Sequence, residues 1–149
     1  VKWTGIGSWG KCEACIAAYR AGRQHPNSLN CYKLGILLSS LKIPLEDLIV
    51  LIRELKVPAK YSVFSFPLNI ASKGVVILYF ESLEDMLRVT KEFSQFLAPP
   101  GARERLFFDK LVNVEWIGPV NYRRGCPEYD RKFGDWRNWS KGDPSSVTQ

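Results

Sequence analysis

The sequence predicts an α+β fold with about three helices toward the N-terminus, a small antiparallel sheet with a helix packed on it, and an irregular basic-aromatic C-terminal arm. Three observations carry this. Apolar residues recur at helical spacing up to residue 55, and two runs of β-formers follow at 61–66 and 75–80. After Gly118-Pro119 the composition turns to Arg, Gly, Asp, Pro and Trp without an apolar period. A chain of 149 residues is near the modal domain size and can bury a core without disulfides or metal. One α+β domain over 1–119 is expected, with an arm over 120–149 that is irregular or partly disordered.

The elements follow in order. Ser8 is placed to cap a helix to about residue 21, where Gly22 stops it. Pro26-Asn27-Ser28 then starts a second helix over 29–42, with Cys31, Leu34, Leu38 and Leu41 in line. Pro44 suits a first helical turn, and Glu46 and Asp47 favour the positive end of a third helix that stops before Pro58. Leu45, Leu48, Ile52 and Leu55 make one face of it. Ile49, Val50 and Leu51 widen that face, which implies burial or self-association through the 44–55 helix.

Residues 61–66 alternate and 75–80 are continuously apolar, so an antiparallel pair is expected. Ser82-Leu83-Glu84-Asp85 opens a helix to about 97, ended by Pro99-Pro100-Gly101. A short helix over 103–111 and a strand over 112–117 complete the core. The order of helices and hairpin also fits a winged-helix domain. Its recognition helix, however, would put Leu48, Ile49, Val50, Leu51 and Ile52 where polar side chains must read bases.

Charge gives the first functional signal. Lys and Arg number 21 against 15 Asp and Glu, a formal net charge of +6, which favours a polyanionic partner. Residues 1–60 hold nine basic and four acidic side chains, so the excess is concentrated there. The longest apolar runs are too short to span a bilayer. With no basic-then-apolar leader and cysteines too closely spaced for an ordinary stabilising bridge, an intracellular compartment is expected, cytoplasmic or nuclear.

Cys12, Cys15, His25 and Cys31 read C-x2-C-x9-H-x5-C, a set that satisfies a structural zinc ion, with Cys126 as an alternative fourth ligand. The same cysteines fall on helical apolar faces, where buried thiols need no metal. A thiol-dependent enzyme using Cys12 and Cys15 is a further alternative, because a C-x2-C at a helix start lowers a thiol's pKa. Otherwise no catalytic constellation is visible, and no catalytic residue is assigned.

Binding fits the residues better than catalysis. Arg20, Arg23, Arg123, Arg124, Arg131, Lys132 and Arg137 are the expected phosphate contacts, and Tyr129, Phe133, Trp136 and Trp139 the expected stacking platforms. Cations with interleaved aromatics suit single-stranded nucleic acid, RNA in particular. The competing reading is that the arm's aromatics anchor it to the core while Glu128, Asp130 and Asp135 pair with its bases.

One resemblance bears on the alternative. Cys31-Tyr32-Lys33-Leu34-Gly35-Ile36-Leu37-Leu38-Ser39-Ser40, the strand leading into Glu81-Ser82-Leu83-Glu84, and the 103–108 segment resemble the segment order of rhabdovirus-type matrix proteins. It implies a non-enzymatic viral assembly protein that bridges nucleoprotein and an acidic membrane surface while self-associating, located in the virion. The chain departs from that pattern in a short segment before the strands, in lacking a proline-rich budding motif, and in its cysteines and tryptophan-rich arm.

Overall fold

A computed structural model of the chain describes residues 2–63 and 73–140. The fold is α+β, built on one six-stranded antiparallel sheet of order β1-β3-β4-β2-β6-β5. The strands are β1 (Thr4–Ile6), β2 (Tyr32–Leu37), β3 (Ala59–Val63), β4 (Gly74–Phe80), β5 (Glu115–Ile117) and β6 (Val120–Arg124). The helices are α1 (Cys12–Arg20), α2 (Pro26–Leu29), α3 (Leu45–Glu54), α4 (Leu83–Phe93), α5 (Ala102–Val112) and α6 (Pro127–Phe133). Within this order, β2-α3-β3-β4-α4-β6 is a βαββαβ unit whose strands lie as β3-β4-β2-β6, the ferredoxin-like arrangement. β1 extends one edge, and α5 with β5 is inserted before the last strand.

Several expectations hold. The α3 helix starts after Pro44 with Glu46 and Asp47 in its first turn, and Ser82 caps α4 by accepting from the Asp85 N–H at 3.2 Å. β3 and β4 form the expected antiparallel pair, with Tyr61 opposite Val76. Residues 64–66 of the expected first strand lie outside the described residues.

The second helix is a correction. Helical structure ends at Leu29 in the four-residue α2, and the stretch expected to continue it is β2, followed by a 3-10 turn at Leu38–Ser40. A central strand is buried on both faces and therefore reads as a continuous apolar run, whose leucines mimic helical spacing. β2 pairs along its whole length with β4 and over four residues with β6, and this long-range ladder overrides the local pattern. The winged-helix order falls with that helix.

The N-terminus differs too. Gly10 adopts φ +66, so α1 begins at Cys12, later than expected from Ser8, and Thr4–Ile6 pairs with β3. The arm expected to be irregular from residue 120 contains β6, α6 and a 3-10 turn at Trp136–Asn138. Residues 141–149 lie outside the described residues.

Strand alternation gives the sheet two faces. Leu34, Ile36, Val76, Leu78 and Phe80 pack with Leu48, Ile52, Met86, Val89 and Phe93 beneath α3 and α4. On the other face, Leu37, Val75 and Ile77 are covered by Phe107, Phe108 and Val112 of α5. The remaining end of that second face carries Lys33, Lys60 and Tyr79, and there α1 and α6 stand off from the strands to enclose a cavity.

Candidate functional site

The cavity has a volume of 450 Å³. Its floor is the sheet: Lys33 on β2 stands in register opposite Tyr79 on β4, and the next strand brings Lys60 opposite Ile77. The α1 segment and the residues before it supply Trp9, Cys12, Cys15, Tyr19 and Arg20, and the β6–α6 segment supplies Cys126, Glu128 and Tyr129. Trp9 stacks on Tyr79 at 5.3 Å between centroids, and Tyr19 on Tyr129 at 5.1 Å. Two aromatic pairs therefore line the cavity.

Three cations, Arg20, Lys33 and Lys60, face one carboxylate, Glu128, among the lining residues. Lys60 lies over the Trp3 ring at 4.3 Å and the Tyr79 ring at 6.0 Å, and it forms no ion pair among the described residues. Burial and the neighbouring Lys33 ammonium hold Lys60 below the ordinary lysine value. An anion placed between the two lysines would relieve both effects. Lys33 is held the other way. Burial acts to lower it, but the Cys126 and Cys31 sulfurs outweigh that and keep its ammonium above the usual value.

All four cysteines of the chain line this cavity and none is in a disulfide. Burial pushes the Cys15 thiol up to about 12 and the Cys31 thiol to about 11. A thiol so shifted is protonated at neutral pH and is a poor nucleophile, which argues against Cys15 in a thiol-dependent reaction. His25 stands apart from the cavity. Its Nδ1 accepts from the Asn27 N–H at 3.0 Å and caps α2. Among the described residues, no three His, Cys, Asp or Glu side chains stand together as a metal-ligand set.

The residues expected to contact nucleic acid divide sharply. Arg20, Arg23, Arg131 and Lys132 are exposed. Lys132 donates to the Tyr19 carbonyl at 2.8 Å and covers that ring, so it edges the cavity. Arg123 is buried and donates to both Asp130 oxygens, at 2.8 and 3.1 Å, and to four backbone carbonyls. Arg124 is also buried and donates to the Trp136 carbonyl at 3.2 Å. Arg137 is tied to Glu115 and Asp135.

Of the expected stacking platforms, Tyr129, Trp136 and Trp139 are core residues, and Phe133 is half-buried against them. They anchor α6 and the turn that follows. The reason is Gly125, at φ +69: its α-carbon leaves room for the Trp139 ring, whose nearest atom would lie 2.6 Å from any Cβ there. The arm is thus folded onto β6.

Sequence reasoning missed Trp9, Lys33, Lys60 and Tyr79. The available signal was a lysine at the second position of each of two β-former runs, Tyr32–Leu37 and Ala59–Val63, which strand alternation places on one face. Comparison of the chain with family models, curated proteins and solved structures gives no match in any of the three.

Proposed function

We propose that the protein binds single-stranded nucleic acid, RNA in particular, by taking an unpaired base into the cavity. The carrying observation is the convergence of Arg20, Lys33 and Lys60 against a single carboxylate at an aromatic-walled cavity on the sheet face. Cations neutralise phosphates and aromatic faces stack on exposed bases. The volume lies within the range of small-ligand pockets.

The topology lends support. RNA-recognition-motif sheets use aromatics on their central strands as a base platform. The segment Lys73–Phe80 has the basic residue, glycine and closing aromatic of the octapeptide that such sheets carry, but Val75 and Ile77 replace its stacking aromatics. Those two residues lie under α5, so base contact falls to the open end of the face beside Lys33 and Tyr79. The path outward leads over Arg20 and Lys132.

The test is fluorescence anisotropy with labelled single-stranded RNA and with a duplex of the same sequence. Lys60→Glu and Arg20→Glu should each weaken single-strand binding about tenfold, while Arg53→Glu, on the opposite side of the sheet, should leave it unchanged. Equal loss in all three, or tighter duplex binding, would reject the reading.

A second reading concerns a cofactor, and one observation favours it: all four cysteines line the same cavity. A zinc ion there would be held by Cys12, Cys15, Cys31 and Cys126 after the thiols close in, with His25 uninvolved. Elemental analysis should then find one zinc per chain that is lost in Cys126→Ser and kept in His25→Ala. Protein purified in zinc-supplemented buffer without bound metal would end this reading.

A further inference from the structure

We infer that the protein associates with further copies of itself head to tail, the outer face of α5 in one copy docking on the outer face of α3 in the next. On α5, Leu106 and Leu111 are 55% and 60% exposed. With Arg103, Phe107 and Lys110 they line a surface pocket of 460 Å³. The two acids of this helix are turned to internal partners. Glu104 accepts from Ser39 Oγ at 2.5 Å, and Asp109 accepts from Trp116 Nε1 at 2.7 Å. What the pocket presents is therefore apolar and cationic.

α3 presents the complement. Its inner side chains Leu48 and Ile52 are fully buried, while Glu46, Asp47 and Glu54 are exposed and form no ion pair among the described residues. Val50, 52% exposed, lies between them. Arg53 is the one cation on this face. The spacing matches as well as the sign. Arg103 and Lys110 are seven residues apart, as are Asp47 and Glu54, a rise of about 10 Å in each helix. Laid antiparallel, each cation meets an acid while Val50 meets Leu106 and Phe107.

A molecule cannot make this contact with itself, because α3 and α5 cover opposite faces of its sheet. Two different patches meet, so the contact is heterologous and propagates as an open chain or closes as a ring. The α5 cations have exposed acids at the same spacing on α3, a complement that a lipid surface does not supply at fixed positions. A second copy is accordingly favoured over a membrane surface.

The test is sedimentation velocity at low ionic strength across a range of concentrations. Wild-type mass should rise with concentration and return to that of one copy in high salt. Arg103→Glu with Lys110→Glu should stay a single copy where the wild type associates, and so should Asp47→Lys with Glu54→Lys. Combining all four substitutions in one chain should restore association. All these sites are exposed, and circular dichroism checks that each variant is folded. A wild type that stays a single copy at every concentration would overturn the inference. So would association that survives either reversal, failure of the four-fold variant, or a single-copy protein that floats with anionic vesicles through Leu106 and Leu111.

Discussion

Lys33 Nζ lies 2.9 Å from Cys126 Sγ, although 93 positions separate the two residues in the chain. The contact joins the central strand β2 to the start of α6, and it gives a half-buried ammonium its nearest acceptor. Cys126→Ala removes that acceptor and leaves the charge unsatisfied. We expect a loss of about 1–3 kcal/mol in urea unfolding, with Cys126→Ser recovering most of it because a hydroxyl also accepts. Equal stability of all three proteins would show that the contact contributes nothing.

The Arg123–Asp130 pair should be worth far more than the exposed pairs. Its side chains are 4% and 16% exposed, and the guanidinium also holds the carbonyls of Val112, Arg124, Gly125 and Cys126. Removing one partner of a buried pair strands the other charge. Asp130→Ala is therefore expected to cost about 3–5 kcal/mol in chemical denaturation. Glu115→Ala, which breaks a surface pair with Arg137, should cost below about 1 kcal/mol. Similar losses for the two would contradict the structural role given to Arg123.

Alkaline pH should destabilise the fold through its thiols. Cys31 titrates at about 11 in the folded chain against 9.0 for an ordinary thiol, because burial disfavours its thiolate. The folded state thus holds this proton where the unfolded state has released it. Stability from Cys31 is complete below pH 9 and is lost as pH rises through 11. Thermal melts between pH 8 and 11 should show the melting temperature falling, and falling less in Cys31→Ala. An identical slope in the variant would exclude Cys31 as a source.

How much of this was legible in the chain depends on the range of the determining interaction. Pro44 with Glu46 and Asp47, and Ser82 with Asp85, announce α3 and α4 because caps and dipoles act within one turn. Tyr32–Leu37 misleads because its state is decided by β4 and β6, which lie far downstream in the chain. Arg123 and Arg124 look like phosphate contacts from composition alone, since nothing local tells a buried guanidinium from an exposed one. The convergence of the four cysteines has the same character. Their spacing suggested His25 and left Cys126 as an alternative, and the strand ladder brings Cys126 to the cavity.

The central claim concerns the cations at the cavity, and salt dependence tests it most directly. Three phosphate contacts through Arg20, Lys33 and Lys60 predict that log K for single-stranded RNA falls with log salt at a slope of about −2. Lys60→Gln should weaken binding and make that slope shallower by about 0.7. No binding at low salt, or a slope unchanged by Lys60→Gln, would contradict the account.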